Sequence, residues 1–323
     1  MTADDAWVPA QIRWTRAGPC VDWCHLGDLR FTDPFFGGTI QRAMAHPFNL
    51  LFRYSTPLDR LDDRPSELRL AGLIFHMTHC GSTLAARMLA SLPRNVVLSE
   101  PKPLDQILRG ATQGRLPADR AARWLRAIVA ALGRRRSPDE QDLFIKFDGW
   151  HVLLLPLIRT AVPGIPWIFF YREPVEVLSA MAQAFPPVEP SLLGLPPEQA
   201  VEMSTERYSA YLIERICRSA IEQHDGACRL IDYRALPHAI LTQLPEHFGL
   251  RYGADELARM AETARFDAKQ PEKPFVADSE AKRHDASAET RDLAATRLTP
   301  LYARLEALRL EESASSSGAS IGA

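Results

Sequence analysis

Short apolar runs alternate with amphipathic segments along this chain from residue 71 onwards. Leu73–His76 and Trp167–Tyr171 are two such runs, and residues 117–133 repeat their apolar positions at the helical spacing of about 3.6 residues. A chain with this alternation buries its runs as strands of a parallel sheet and packs its amphipathic helices against that sheet. The pattern therefore predicts an α/β fold, with a parallel sheet flanked by helices.

The pattern of residue types along the sequence divides the chain into three regions. Residues 1–66 combine β-type segments with turn-rich sequence and are predicted to form an N-terminal β-rich cap. The strands expected in this cap are Gln11–Trp14, Val21–Leu26 and Leu50–Arg53. Residues 67–310 are predicted to form the α/β domain, and the Ser-, Gly- and Ala-containing residues 311–323 a disordered tail.

One long segment of the α/β region lacks periodicity. Residues 265–286 are charged, and a loop of this length in a compact domain is usually functional or disordered. The segment holds Lys269, Lys273 and Lys282, which are three of the five lysines among 38 lysines and arginines in the chain. This concentration favours a functional loop.

Composition excludes several classes of protein. The 38 basic residues are balanced by 40 acidic ones, and 46% of the residues are hydrophobic, which is not the balance of a nucleic-acid binder or of a disordered chain. The N-terminus lacks a signal-peptide pattern, and no apolar stretch reaches the roughly 20 residues of a membrane span. A cytoplasmic protein with neither nucleic-acid nor membrane partners is expected. Its five irregularly spaced cysteines fit free thiols, and no metal site is expected.

The first motif is the strand Leu73–His76 followed by Thr78-His-Cys-Gly-Ser-Thr and a helix. The first amides of a helix lack intrahelical partners and attract anions, and Gly81 lets the backbone approach a phosphate. Ser82 and Thr83 add hydroxyl donors. The turn predicts an anion site but lacks the lysine that follows the second glycine of a nucleoside-triphosphate loop, because Ser82 stands there.

The second motif is Arg172-Glu-Pro-Val-Glu-Val-Leu-Ser, which directly follows the strand Trp167–Tyr171. An arginine at the carboxyl end of a parallel strand lies at the sheet edge where open α/β folds bind ligands. Pro174 suits the first turn of a helix. Arg172 is therefore a candidate for a second phosphate contact. The alternative is that it is a surface cation at the end of a strand, which would give the same sequence pattern.

The two motifs, in this order, resemble the sulfotransferase family, whose members transfer a sulfuryl group from 3′-phosphoadenosine 5′-phosphosulfate. The resemblance covers roughly residues 70–250 and includes Leu230-Ile-Asp-Tyr-Arg-Ala-Leu-Pro and His247-Phe-Gly-Leu. It implies a P-loop NTPase-like fold and a small-molecule or metabolite acceptor with a hydroxyl or an amine. The implied donor contacts are Thr78, His79, Cys80, Gly81, Ser82 and Thr83 for the 5′-phosphosulfate, with Arg172 and Ser179 for the 3′-phosphate.

This chain departs from the family pattern at three positions. His79 replaces the basic residue of the loop, so its charge depends on its pKa. Cys80 replaces a serine, which weakens a hydrogen-bond donor. Ser179 comes one residue before the usual serine, where Ala180 stands, and one residue on a helix rotates the side chain by about 100°.

For proton transfer the resemblance offers two acids. Glu100 follows the strand after the first helix, and Asp148 follows the strand that ends near Lys146. Either carboxylate would accept the acceptor proton if burial raises its pKa towards neutrality, while Lys146 and His79 would stabilise charge on the bridging oxygen. His76 is an alternative acid or base, or a core residue. Charged residues that are merely solvated at the ends of strands would give the same sequence pattern. The choice between a catalytic and a structural role therefore stays open.

Two other functions remain open at this stage. One is a kinase-like nucleotide-dependent phosphotransferase, and the other is a non-catalytic nucleotide-binding descendant of the fold. The acceptor site is expected to draw its walls from residues 1–66, 184–200 and 265–286. The lysines of residues 265–286 are expected to close over the donor. The sequence predicts neither the acceptor nor the oligomeric state.

Overall fold

The computed structural model describes residues 6–61, 65–182 and 188–319. Its centre is a five-stranded sheet in which all neighbouring strands are parallel. The strands are β4 (Arg69–His76), β5 (Asn95–Ser99), β6 (Asp142–Lys146), β7 (Trp167–Tyr171) and β8 (Cys228–Asp232). Their order is β5-β6-β4-β7-β8, so the first strand of the domain lies in the middle of the sheet. The predicted parallel α/β fold is confirmed.

The strands are buried because helices cover the sheet, and the apolar runs of the sequence are the residues that this burial requires. The helices of this region are α3 (Ser82–Ala90), α4 (Lys102–Thr112), α5 (Ala118–Leu132), α6 (Leu155–Ala161), α7 (Pro174–Met181), α8 (Pro197–Val201), α9 (Thr205–Glu222), α10 (His238–Leu241), α11 (Gln243–His247), α12 (Ala254–Thr263), α13 (Ser279–Asp285), α14 (Ala288–Leu293) and α15 (Thr299–Ala319). None of the helices in the described part of the chain is both long enough and apolar enough to cross a membrane.

The N-terminal region forms a second, antiparallel sheet. Its strands and helices are β1 (Trp7–Thr15), β2 (Gly18–His25), β3 (Tyr54–Pro57), α1 (Phe36–Met44) and α2 (Pro47–Leu51). The side-chain amide of Gln106 in α4 exchanges two hydrogen bonds with the backbone of Ile12 in β1, at 2.6 and 2.7 Å. The buried apolar residues of both sheets form one core. The β-rich cap is confirmed, and its boundary at residue 66 stays a prediction.

Several predicted elements differ from the structure. The strand expected at Leu50–Arg53 is wrong, because helix α2 covers Leu50 and Leu51 and the strand begins at Tyr54. Residues 197–222 form two helices, α8 and α9, because the Ser204 side chain caps α9 by accepting a hydrogen bond from the backbone N–H of Arg207.

The C-terminal half contains more helix than the sequence predicts. Residues 265–286, predicted as a loop, include helix α13. Helix α15 continues to Ala319, into the segment predicted as a disordered tail. Glu312 holds this helix to the sheet, because its carboxylate accepts hydrogen bonds from the backbone N–H of Leu230 in β8. Residues 320–323 of the predicted tail lie outside the described residues.

Candidate active site

A cavity of about 990 Å³ lies at the carboxyl edge of the parallel sheet. Because parallel strands end at the same edge, the residues that follow all five strands meet there. The strand-end residues lining the cavity are His76, Thr78, His79, Cys80, Gly81, Glu100, Lys146, Asp148, Arg172 and Tyr233. Phe35, Val188 and residues between Phe266 and Lys282 also line the cavity, and each comes from a segment expected to form the acceptor site.

The loop between β4 and α3 has an unusual backbone. Thr78, His79 and Gly81 have φ angles of 76°, 46° and 85°, in the left-handed region that costs energy for residues with a side chain. A Cβ on Gly81 would lie 2.2 Å from the Leu236 Cδ1 atom, so the packing also requires glycine. The turn delivers the chain to the N-terminus of α3. Strain of this kind is typical of anion-binding loops at functional sites.

Helix α3 begins with Ser82 and Thr83, which are 4% and 8% exposed and line the cavity. The predicted loop residues are therefore brought together around the free amides of this helix. The Cys80 thiol contributes to the sheet instead, because its Sγ atom donates a hydrogen bond to the Phe170 carbonyl oxygen at 3.2 Å. Burial raises the pKa of this thiol to about 11.

His79 does not supply a cation at neutral pH in the free protein. Burial and then the positive charges of Lys269 and Lys282 lower its pKa to about 4. The sequence expectation of a pH-dependent cation at this place thus holds only in acid. The other cations of the cavity wall are Lys146, Arg172, Arg234, Lys269 and Lys282.

Arg172 is 3% exposed and makes contacts on all sides. Its Nε atom donates to Glu176 Oε2 at 2.6 Å, and its Nη1 atom donates to the His79 carbonyl oxygen at 3.2 Å. The guanidinium carbon lies 3.9 Å from the centre of the Tyr233 ring. Arg172 is thus fixed between the anion-binding loop and helix α7, as its place at the end of β7 predicts.

Ser179 does not reach the cavity through its side chain. Its Oγ atom is buried and has no hydrogen-bond partner among the described residues, whereas Ala180 lines the cavity. The rotation expected from the one-residue shift thus explains the placement, and the sequence assignment of Ser179 as a donor contact is not supported by the geometry.

Three titratable side chains of the cavity wall lie close together, those of His76, Glu100 and Lys146. The Lys146 Nζ atom, on a wholly buried side chain, donates a hydrogen bond to Glu100 Oε1. The His76 Nε2 atom lies 3.7 Å from the same oxygen and has no hydrogen-bond partner among the residues that the structure describes. Because the His76 Nδ1 atom accepts a hydrogen bond from the Thr78 N–H at 3.1 Å, the proton of neutral His76 is on Nε2.

The pKa values of this cluster follow from burial and from the lysine. Burial opposes ionisation of Glu100, but Lys146 and His76 together outweigh it and hold the pKa of the carboxyl below its ordinary range. The expectation that burial raises the pKa of this acid is therefore wrong. Burial and Lys146 both lower the pKa of His76, so at neutral pH Glu100 is a carboxylate and His76 a neutral imidazole.

Asp148 has a different setting. It is half-buried at the cavity wall, and its backbone N–H donates to His151 Nδ1 at 3.2 Å. The His151 Nε2 atom lies 3.0 Å from Asp105 Oδ1, so a buried histidine links the Asp148 backbone to helix α4. The structure thus brings both candidate acids to one cavity, with Glu100 alone bonded to Lys146.

Sequence reasoning missed the residues that contact Arg172 from distant segments. Asp278, Ser279 and Tyr233 approach it from α13 and from the end of β8. The concentration of lysines in residues 265–286 was the available signal for the first two.

Away from the cavity, the described residues also bring His224, Cys228 and Glu312 together, with ligand-type atoms within 4.8 Å of one another. His224 and Glu312 already pair there at 2.8 Å.

No protein-family model matches this chain, and no curated protein matches it. Several solved structures do match this chain. The sulfotransferase domain from the curacin biosynthetic pathway is 16% identical, with 71% of this chain and 98% of that one covered and a TM-score of 0.44. The sulfotransferase domain of the Synechococcus PCC 7002 olefin synthase is 15% identical, with 73% and 97% covered and a TM-score of 0.42.

A sulfotransferase from Alicyclobacillus acidocaldarius is 12% identical, with 75% of this chain and 96% of that one covered and a TM-score of 0.45. These three solved structures, which this chain resembles in fold, are all sulfotransferases.

Proposed function

We propose that this protein is an enzyme that transfers a sulfuryl group from 3′-phosphoadenosine 5′-phosphosulfate to a hydroxyl or amine of a small-molecule acceptor. One observation carries the proposal. A single cavity joins an anion-binding loop, the buried guanidinium of Arg172 and the cluster of Glu100, Lys146 and His76. The first two features suit a doubly anionic nucleotide, and the cluster suits proton transfer beside it.

The residues fit such a donor. Gly81 is required by both its φ angle and its packing, so the loop backbone can approach an anion closely. The loop of residues 78–83 would hold the 5′-phosphosulfate, and Arg172 would hold the 3′-phosphate. When bound, the donor would supply a sulfuryl group on a phosphate leaving group. The cavity volume of about 990 Å³ accommodates a nucleotide together with an acceptor.

Glu100 is the base that the contacts favour. Its Oε1 atom is engaged by Lys146 and faces His76, so Oε2 remains to accept the acceptor proton. Lys146 helps to keep this carboxylate ionised at neutral pH, which also lowers its basicity, and from the same cavity wall it would stabilise negative charge on the leaving oxygen. Asp148 remains the alternative base, since it lines the same cavity.

Donor binding is tested by isothermal titration with 3′-phosphoadenosine 5′-phosphate, the desulfated donor. Arg172→Ala is expected to weaken binding at least about tenfold, because it removes a charge-assisted hydrogen bond. Arg159→Ala is the matched control, since Arg159 pairs with Asp225 and does not line the cavity. Absence of binding to the unmodified protein would overturn the proposed donor.

Turnover is tested with a radiolabelled donor and a panel of alcohols, phenols and amines. Glu100→Gln is expected to abolish transfer and to leave binding of the desulfated donor within about threefold of the unmodified value. Asp148→Asn is the comparison. If it abolishes transfer while Glu100→Gln does not, Asp148 is the base.

A non-catalytic nucleotide-binding protein is the second candidate. The low pKa of His79 favours it, because the loop then lacks the cation that would face the bridging oxygen. Binding of the desulfated donor without turnover on any acceptor would select this candidate. The kinase-like alternative would instead require magnesium-dependent consumption of ATP, which the same preparation can be used to measure.

A further inference from the structure

Two carboxylates neutralise Arg172, and they differ in kind. Glu176 accepts a hydrogen bond from the Arg172 Nε atom at 2.6 Å, and its side chain is 7% exposed. Asp278 accepts one from the Arg172 Nη2 atom at 2.8 Å, and its side chain is 48% exposed. Glu176 lies one turn along α7 from the arginine, whereas Asp278 comes from the residue before α13. Glu176 is therefore a buried partner of Arg172, and Asp278 is a partly exposed one.

The second oxygen of Asp278 is also engaged. Its Oδ2 atom lies 2.6 Å from the Lys282 Nζ atom, so the carboxylate bridges an arginine and a lysine. The Ser279 Oγ atom accepts a further hydrogen bond from Arg172 Nη2 at 3.0 Å. Two cations and a hydroxyl around one anionic group form the setting in which proteins hold a phosphate. All of these residues line the cavity.

We propose that Asp278 is an internal counter-anion, which occupies the phosphate position on Arg172 in the free protein and must be displaced by the bound nucleotide. The proposal rests on the function proposed above, in which Arg172 holds a phosphate of the donor. With Asp278 in place, Arg172, Lys282 and Arg283 face Glu176 and Asp278, so three positive charges meet two negative ones. When Asp278 leaves, one further positive charge becomes available to the ligand.

The surrounding contacts permit this exchange. Helix α13 has a second connection to α7, because Arg283 Nε lies 3.2 Å from Glu176 Oε1. Asp278 can therefore turn towards water while the helix stays attached. A neutral nucleoside offers nothing to replace the carboxylate, whereas a phosphate does. Asp278 thus lowers affinity for all ligands of the cavity and selects those that carry an anion at this place.

The test is titration of 3′-phosphoadenosine 5′-phosphate and of inorganic pyrophosphate into the full-length protein and its variants. Asp278→Asn and Asp278→Ala are expected to lower the dissociation constant of the nucleotide about tenfold. Asp285→Asn is the matched control for charge, because Asp285 lies in α13, pairs with His284 and does not line the cavity. Glu280→Gln controls for changes in α13, where Glu280 is exposed. Both controls are expected to leave affinity within about twofold.

The outcomes separate the two proposals. Nucleotide binding that is unchanged or weaker in both Asp278 variants, or equally tightened by Asp285→Asn, overturns the counter-anion while the donor assignment stands. Pyrophosphate binding that tightens in Asp278→Asn, with no nucleotide binding to any variant, supports the counter-anion and overturns the donor. No binding of either anion to any variant overturns both.

Discussion

The Lys146 Nζ atom donates a hydrogen bond to Glu100 Oε1, and the Glu100 backbone N–H donates to the Lys146 carbonyl oxygen at 2.7 Å. The two residues therefore hold each other through both side chain and backbone, at the ends of the neighbouring strands β5 and β6. Glu100 adopts a φ of 57° in this arrangement. A strained backbone at Glu100 next to a wholly buried lysine is typical of functional sites rather than of solvated surface charges.

Removing one partner of this pair is expected to destabilise the fold. Lys146→Met leaves the Glu100 carboxylate without its cation and should lower the free energy of unfolding by about 3–5 kcal/mol. Combining it with Glu100→Gln should recover much of this loss, since no unpaired charge remains. Urea denaturation measures both. Lys102→Met is the control, because the Lys102 ammonium bonds to Gln11 in an exposed position. A loss that the double variant does not relieve would contradict the argument.

The sequence predicted the parts of this site that depend on buried strands. A parallel strand covered on both faces must be a continuous apolar run, and the residue after it must lie at the ligand-binding edge. The family resemblance singled out Glu100 and Lys146, whereas this logic singled out Arg172 without any knowledge of tertiary contacts. It also located the loop around Gly81, since glycine and small hydroxyl residues between a strand and a helix have few other uses.

The remaining parts depend on contacts between distant segments. Asp278 reaches Arg172 across more than a hundred residues, and no local pattern encodes such an approach. The low pKa of His79 arises from burial and from lysines of another segment, and both are properties of the folded chain.

Gly81→Ala is expected to affect binding more than stability. The left-handed φ alone should cost about 1–2 kcal/mol. The new Cβ would also displace Leu236 and lie 3.2 Å from the Tyr233 ring, which stacks on Arg172. Binding of the desulfated donor should therefore fall at least about tenfold. Gly114→Ala is the matched control, with φ 68° and open space around its Cβ, so it should cost similar stability and leave affinity unchanged. Equal affinities in the two variants would refute this account of Gly81.

Ser179 and Ala180 form a natural pair for a gain-of-binding experiment. Ala180→Ser places a hydroxyl on the cavity wall and should tighten binding of the desulfated donor about two- to tenfold, the worth of one hydrogen bond. Ser179→Ala removes a buried Oγ atom that has no hydrogen-bond partner in the described part of the chain, so it should leave affinity unchanged and raise stability by up to about 1 kcal/mol. Titration and thermal melting measure the two effects. Weakened binding in Ser179→Ala would return that serine to the donor site.

The pKa of His79 predicts a loss of stability in mild acid. Its pKa falls from the ordinary 6.5 to about 4 on folding, so the folded state favours the neutral imidazole and protonation favours the unfolded chain. The free energy of unfolding should therefore fall as the pH decreases from about 6.5 towards 4, by up to about 2 kcal/mol at pH 5 from this residue. Denaturation of the unmodified protein and of His79→Gln across this window measures the difference.

The window identifies the group responsible. Carboxylates with lowered pKa, such as that of Glu100, lose their stabilising effect only below their ordinary value of about 4.5, so they contribute little above pH 5. His76 and His247 also have lowered pKa values and should leave a residual slope in His79→Gln. Identical slopes in the two proteins would mean that His79 keeps an ordinary pKa in the fold. In that case His79 would be partly cationic near neutrality, and the loop would carry the charge that the sequence resemblance implies for it.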